Sequence, residues 1–306
     1  MPVQPFQIAL QLLITLVVPP LLVGVITKTK AAFAGRVGPP VLQPYYDIAK
    51  LLRKGSVFSE TTTWIFRASP VVGVATAILA SLLVPLGGHD APVSFTGDLI
   101  LFAYLLGLAR FFTVSAALDT GSAFEGMGGA REATFSCLAE PALLLGLLVL
   151  VKRTASLSLA TMLGAAVPGE WHTGGAALVL VVVSLFVVLL VENCRVPFDD
   201  PNTHLELTMI HEVMVLDHGG PGLGLIFYGA ALKLFVLGAI VVGIAVPFRS
   251  GSFGLDLALF LVGMLVLAVV VGIVESVMAR LRLRQIPALL VGACLLSGFA
   301  ILLASR

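Results

Sequence analysis

Eight charged or imidazole side chains crowd into one stretch of this chain, Glu192 to Glu212, which reads ENCRVPFDDPNTHLELTMIHE. It holds Glu192, Arg195, Asp199, Asp200, His204, Glu206, His211 and Glu212. Carboxylates and imidazoles at this density can relay protons, hold a metal ion or dock a charged partner. The histidines test the metal reading. His204, His211 and His218 are spaced seven apart, and a helix over 203–217 would put them on one face. Side chains two turns apart are about 10–11 Å apart along a helix axis, too far to share one ion. The run HEVMVLDH also misses the HExxH spacing. A polar face packed against another subunit fits better than a metal site. Pro197 and Pro201 break the preceding helix, and Asp199, Asp200 or Thr203 can cap the next one.

Other ionisable residues stand inside apolar runs: Arg110, Glu140, Lys233 and Glu275, with Glu192 closing another. Burying such groups in a bilayer costs about 2.5–3.5 kcal/mol each on insertion scales. Burial also brings carboxyls and lysines towards a common protonation range, so a row of them with water between would form a proton path. The plain alternative is that they pair and hold helices together. Glu140 precedes Pro141 within an apolar run, where water does not easily reach, and Lys233 is an available counter-ion.

The elements that must position these groups are membrane helices. The chain is 58% hydrophobic and 11% charged over 306 residues, with a mean hydropathy of +1.07, where soluble domains have roughly 25% charged residues. A spanning helix needs about 20 mostly apolar residues. Eight segments qualify: 6–27, 68–86, 98–118, 133–151, 174–192, 223–246, 255–275 and 286–304. The expected fold is an all-α polytopic membrane protein, one integral domain over 1–306, with no internal repeat. The first segment has no basic flank or cleavage site and reads as a retained helix.

Loops 28–67, 119–132, 193–222 and 276–285 share one side and hold twelve lysines and arginines, against Lys152, Arg153, Arg249 and Arg306 on the other. The positive side is the cytoplasmic one, which puts both termini outside. A net charge of +1 gives no footprint for nucleic acid. The working surface is the long-loop side, because long loops rich in aromatics and leucine are functional and not disordered.

In the first long loop, Gly35, Gly38, Pro39 and Pro40 open a rigid turn. Val41, Tyr45, Ile48 and Leu52 then recur at helical spacing opposite Asp47, Lys50, Arg53 and Lys54. That pattern predicts an amphipathic helix at the membrane interface, either a simple anchor or one wall of a lateral cavity. Arg36 between glycines favours the wall. The second loop, DTGSAFEGMGGAREATFSCLAEPA, reads as a Gly-rich turn with Arg131, Glu132 and Glu140. It lacks the strand context and spacing of a phosphate-binding loop. Cys137, Cys194 and Cys294 are scattered singly and read as small buried residues.

ENCRVPFDDPNTHLELTMIHE closely resembles the E-x-x-R-x-P-F-D signature of the complex I subunit 1 family, the membrane subunit bordering the quinone chamber. The R-x-G-P turn at Arg36, Gly38 and Pro39, and GGAREATFSCLAEP at 128–141, agree in the same order. The continuation DDPNTHLELTMIHE is more similar to the version in group 4 energy-converting NiFe hydrogenases, of the Ech, hydrogenase-4 and formate-hydrogenlyase types. The resemblance covers residues 30–285. It implies a subunit without redox centre or cofactor of its own, in the inner (cytoplasmic) membrane of a prokaryote. The implied partners are the hydrogenase large and small subunits, an iron–sulfur protein and antiporter-like membrane subunits, and these carry the NiFe centre and the iron–sulfur clusters.

By motif position, Arg36, Asp199 and Glu206 would line the chamber or its mouth. Glu140 and Glu192 would begin an acidic path, to which Glu212, Lys233 and Glu275 can contribute. Arg131, Glu132 and Arg195 would organise the cytoplasmic face, with Asp47, His204 and His211 on the docking side. Asn202 and His204 stand where the quinone-reducing branch has glutamates, which argues against quinone and for the hydrogenase branch. The implied function is a coupling subunit of an energy-converting hydrogenase. The alternative is the quinone-site subunit of a complex I-like oxidoreductase. A stand-alone transporter would be expected to show inverted repeats with broken helices, and none is visible.

Overall fold

In the computed structural model, residues 5–87, 90–164, 167–199, 210–246 and 250–305 are described. Asp200, Asn202, Thr203, His204 and Glu206 fall outside them. Among the described residues ten α-helices form: α1 (Pro5–Phe33), α2 (Gln43–Leu52), α3 (Trp64–Leu83), α4 (Asp98–Asp119), α5 (Ala123–Thr154), α6 (Leu159–Leu163), α7 (Val167–Glu192), α8 (Gly220–Ala245), α9 (Phe253–Val277) and α10 (Ile286–Leu303). No strand forms among the described residues. Eight helices, all but α2 and α6, are long and apolar enough to cross a membrane, and each contains most of one segment expected from hydropathy. Helix α8 is the central one. Leu232, Phe235, Ile240 and Ile244 on it are almost fully buried, and it packs against α1, α2, α3, α7 and α9.

Several boundaries differ from the sequence reading, each for a packing reason. Helix α5 starts at Ala123 and absorbs the Gly-rich stretch that reads as a turn. Glycine disfavours a helix interior by about 1 kcal/mol, but Gly128 leaves room for another segment. A Cβ at Gly128 would lie 2.3 Å from Val213 Cγ1 and 3.0 Å from Ile210 O. Helix α7 begins at Val167, with a break at Gly174 (φ −148°, ψ 31°) where the sequence suggests its start. The Arg153 guanidinium occupies the space beside Gly174.

Helix α7 ends in a left-handed turn. Arg195 N–H donates to Leu190 O at 2.9 Å and Cys194 N–H to Val191 O at 3.0 Å, the double bond that closes a Schellman motif. Cys194 sits at the position usually given to glycine, with φ 50°. Around the prolines of α1 the backbone is also tied. Pro20 has no N–H for Leu16 O, and that carbonyl accepts from Tyr228 Oη at 2.8 Å. Tyr45 Oη on α2 donates to Val17 O.

A short helix does occupy 43–52, in the first long loop, and Val41, Tyr45 and Ile48 are half-buried while Asp47 and Lys50 are exposed. Its inner side meets α1 and α8. A Cβ at Gly24 would sit 1.9 Å from Val41 O, and one at Gly224 would sit 3.1 Å from Leu51 Cβ. Contact with Val41 is therefore through backbone, which cannot swing aside. Gly24→Leu should unseat α2 at a cost of about 1–3 kcal/mol. The check is the thermal midpoint of the purified protein in detergent, where an unchanged midpoint would show that α2 does not rest on α1.

Candidate functional site

Four helices bring five charges together. Arg110 on α4 is the hub. Its Nη2 stands 2.5 Å from Glu192 Oε1 at the end of α7, its Nε stands 3.4 Å from Glu132 Oε1 on α5, and its Nη1 pairs with Glu140, two turns along α5 from Glu132. Lys233 Nζ on α8 lies 2.7 Å from Glu192 Oε2. The Arg110 and Glu192 side chains are only 10% and 3% exposed. A guanidinium has five donors in a fixed fork and can serve three acids, which a lysine cannot do with the same geometry.

Two expectations are corrected here. The counter-ion of Glu140 is Arg110, and Lys233 serves Glu192 instead. Glu140 is not sealed inside the bundle either: its side chain is 51% exposed, because α5 turns that residue to its outer side.

A cavity of about 110 Å³ adjoins the cluster. Its walls include Ser69 and Thr76 of α3, Arg110 and Thr113 of α4, Glu132, Glu192, Asn193 and Lys233. Cys194, His211, Met214 and His218 close it from the segment after α7. One ordered water needs roughly 10–15 Å³ by this measure, so several fit. Small-molecule pockets run to roughly 300–1,000 Å³.

The segment 210–218 is a strap across this cavity, with a 3₁₀ turn at Glu212–Val215 in place of the regular helix that the histidine spacing supposed. Asp199 holds one end. Its Oδ2 accepts from Ile210 N–H at 3.0 Å and His211 N–H at 3.1 Å, while Arg280 Nη2 donates to Oδ1 at 2.8 Å. Burial, with Lys233 nearby, pushes the His211 imidazole below its ordinary range, against the opposite pull of Glu132 and Asp199. His218 stacks flat on Phe66 at 3.8 Å between ring centroids, and its burial lowers it to about 4. Both rings are therefore neutral at pH 7. Burial first, then Glu132 and Asp199, push the Cys194 thiol up, so it stays a thiol.

The remaining expected residues lie apart from the hub. Glu275 is buried between Lys30 Nζ at 2.8 Å and Arg195 Nη1 at 3.4 Å. This second cluster ties α1 and α9 to the turn after α7. Arg131 Nη2 contacts Met127 Sδ at 2.7 Å on its own helix. Asp47 accepts from Gln43 Nε2 on α2. Arg36 is exposed after α1 and does not line the cavity, and Glu212 is half-buried at the start of the 3₁₀ turn. Cys137 is exposed, unlike the buried residue expected. Sequence reasoning missed Glu125, a fully buried acid in the first turn of α5. Its only signal was an acid three residues before Gly128 on one helix face.

Fold and site define a polytopic helical membrane protein with a water-sized, charge-lined chamber under one face. The chain belongs to the NADH dehydrogenase family, whose model matches residues 6–305. It is 34% identical to formate hydrogenlyase subunit 4 of Escherichia coli over 91% of both chains. It is 32% identical to hydrogenase-4 component C of the same organism, over 89% of this chain and 87% of that one. Identity to a subunit of the NADH-quinone oxidoreductase of Syntrophotalea carbinolica is 27%, over 81% of this chain and 76% of that one. The fold matches a chain of the membrane-bound sulfane sulfur reductase, an archaeal respiratory membrane complex, with a TM-score of 0.82 over 97% of both chains at 22% identity.

Removing one member of a buried pair leaves a stranded charge, at about 3–5 kcal/mol. Lys233→Met should destabilise the protein by that order, and Lys233→Met combined with Glu192→Gln should regain most of the loss. Equal stability of the single and double variants in denaturant titrations would show that the pair carries no such coupling. For His218 the folded state holds the ring neutral down to about 4, against an ordinary 6.5. The unfolded chain therefore binds more protons between those values, and stability falls as pH drops through that window. His218→Phe keeps the stack on Phe66 and should flatten this part of the stability–pH curve. An unaltered slope would count against the assignment.

Proposed function

We propose that this chain is the membrane anchor and coupling subunit of an energy-converting NiFe hydrogenase complex, linking a peripheral redox arm to proton or sodium movement. The observation that carries the reading is the Arg110 cluster opening onto a water-sized cavity. Three carboxylates, Glu132, Glu140 and Glu192, share two cations, Arg110 and Lys233. Fully ionised, the cluster is one negative charge in excess, so one proton can be added without stranding a cation. Glu192 lies inside and Glu140 on the outer side of α5, with Arg110 between them. A proton taken up from the cavity near His211 has a carboxylate route outward, towards an antiporter-like neighbour.

The relatives named for formate hydrogenlyase and hydrogenase-4 support the hydrogenase branch. In this reading the long-loop side faces the cytoplasm of a prokaryotic inner membrane, both termini lie outside, and α2 lies along the interface. That side docks the large and small subunits and an iron–sulfur protein, which hold the NiFe centre and the clusters. This chain's three cysteines stand singly. The second reading, a quinone-site subunit of a complex I-like oxidoreductase, is favoured by the NADH-quinone oxidoreductase relatives. The cavity of about 110 Å³ suits water better than a quinone head.

Glu140→Gln and Glu192→Gln should leave the complex assembled but slow coupled ion movement. Losing a positioned proton carrier costs on the order of 10²-fold where proton transfer limits the rate. Unchanged ion movement in both variants, measured in proteoliposomes, would eliminate this path. Nickel in the purified complex supports the first reading, and sensitivity to quinone-site inhibitors without nickel supports the second.

A further inference from the structure

The strap over the cavity is held at both ends by carboxylates, and the two differ in one respect. Asp199 has a cation, Arg280, on its free oxygen. Glu125 holds the other end: its Oε1 accepts from Asp217 N–H at 2.9 Å, beside His218. The Glu125 residue is 0% exposed, and its Oε2 has no hydrogen-bond partner. The groups that face it are Thr120, at the end of α4, and Asp217 on the strap. Asp119 is the next acid along α4, and it accepts from Thr63 N–H and Oγ1. Of the cations on its own helix, Arg131 lies against Met127. No ion pair to Glu125 occurs among the described residues. Between the two anchors the strap lies on the glycine face of α5, with Val213 and Met214 over Gly128. His211 and His218 both line the cavity from it.

We propose that Glu125 is a protonatable latch and a positioning residue: ionised, it grips the strap through Asp217, and protonated, it loosens its hold on the two cavity histidines. A hydrogen bond to an ionised acceptor is shorter and roughly twice as strong as one to a neutral acceptor. A buried acid without a cation can gain or lose a proton at the cost of one bond, whereas Asp199 is also tied to the Arg280 guanidinium. The latch gives the coupling reading a trigger at the long-loop side. Its geometry stands without that reading, so the test does not use ion movement.

The test is amide hydrogen exchange of the peptide covering 212–218, in the full chain with its co-purifying subunits in nanodiscs. Exchange is measured across pH and corrected for intrinsic rates. In the wild type, protection should rise with pH by roughly fivefold as Glu125 ionises. Glu125→Gln keeps a neutral acceptor for Asp217 N–H and should hold protection at the low-pH level throughout. Glu125→Asp should restore a pH-dependent step. A wild type whose protection does not change with pH, or a Gln variant that keeps the same step, overturns the latch. Both outcomes are independent of whether Glu140→Gln and Glu192→Gln alter ion movement. A Gln variant that fails to fold leaves the wild-type and Asp profiles to decide, with a flat Asp profile counting against the proposal.

Discussion

Everything around the cavity depends on one constraint: a charge taken out of water must meet its opposite. Arg110 is that meeting point. Its guanidinium is shared by Glu192 inside, Glu132 beside the cavity and Glu140 on the outer side. Its three contacts join α4, α5 and α7, and the Glu192–Lys233 pair brings in α8. Hydrophobic burial gives these helices little reason to choose each other inside a bilayer, where lipid is as apolar as leucine. Polar pairs supply that specificity, since any other packing would leave a charge uncompensated.

The same constraint builds the segment after α7. The Schellman turn at Cys194 sends the chain back across the helix end, so Glu192 points into the hub while Arg195, three residues on, reaches Glu275. Asp199 then closes the next stretch by gathering Ile210, His211 and Arg280. The two charge clusters are therefore neighbours along the chain but separate in role. One faces the cavity, and the other pins α1 and α9 to the turn.

Much of the helical layout was legible. Hydropathy alone located all eight crossing helices, because about 20 apolar residues in a row have few other folds available. What hydropathy cannot see is packing between helices. It placed the start of α5 ten residues late, since Gly126, Gly128 and Gly129 look like a turn until Val213 and Met214 are known to lie on Gly128, and Val114 of α4 on Gly129. Residue types flagged Arg110, Glu140, Glu192 and Lys233 as costly and therefore meaningful. Pairing was not legible: which acid takes which cation depends on helix rotation, and Lys233 went to Glu192 because α8 faces the end of α7. Glu125 gave only a faint signal, because its partner is Asp217 on the strap, 92 residues away along the chain.

The choice of cations in the hub follows from what each can do with a proton. Arginine stays charged at every accessible pH, so Arg110 can hold three acids in place without ever becoming a proton donor itself. Lysine is a compact ammonium on a flexible stem, which suits a single acid. Placing Lys233 on Glu192, the most enclosed of the three acids, puts a compact point charge beside the cavity. Placing arginine between Glu192 and Glu140 separates the inner and outer carboxylates with a fixed charge. Glu192 and Glu140 compete for the same guanidinium, so the charge of one is felt by the other through Arg110.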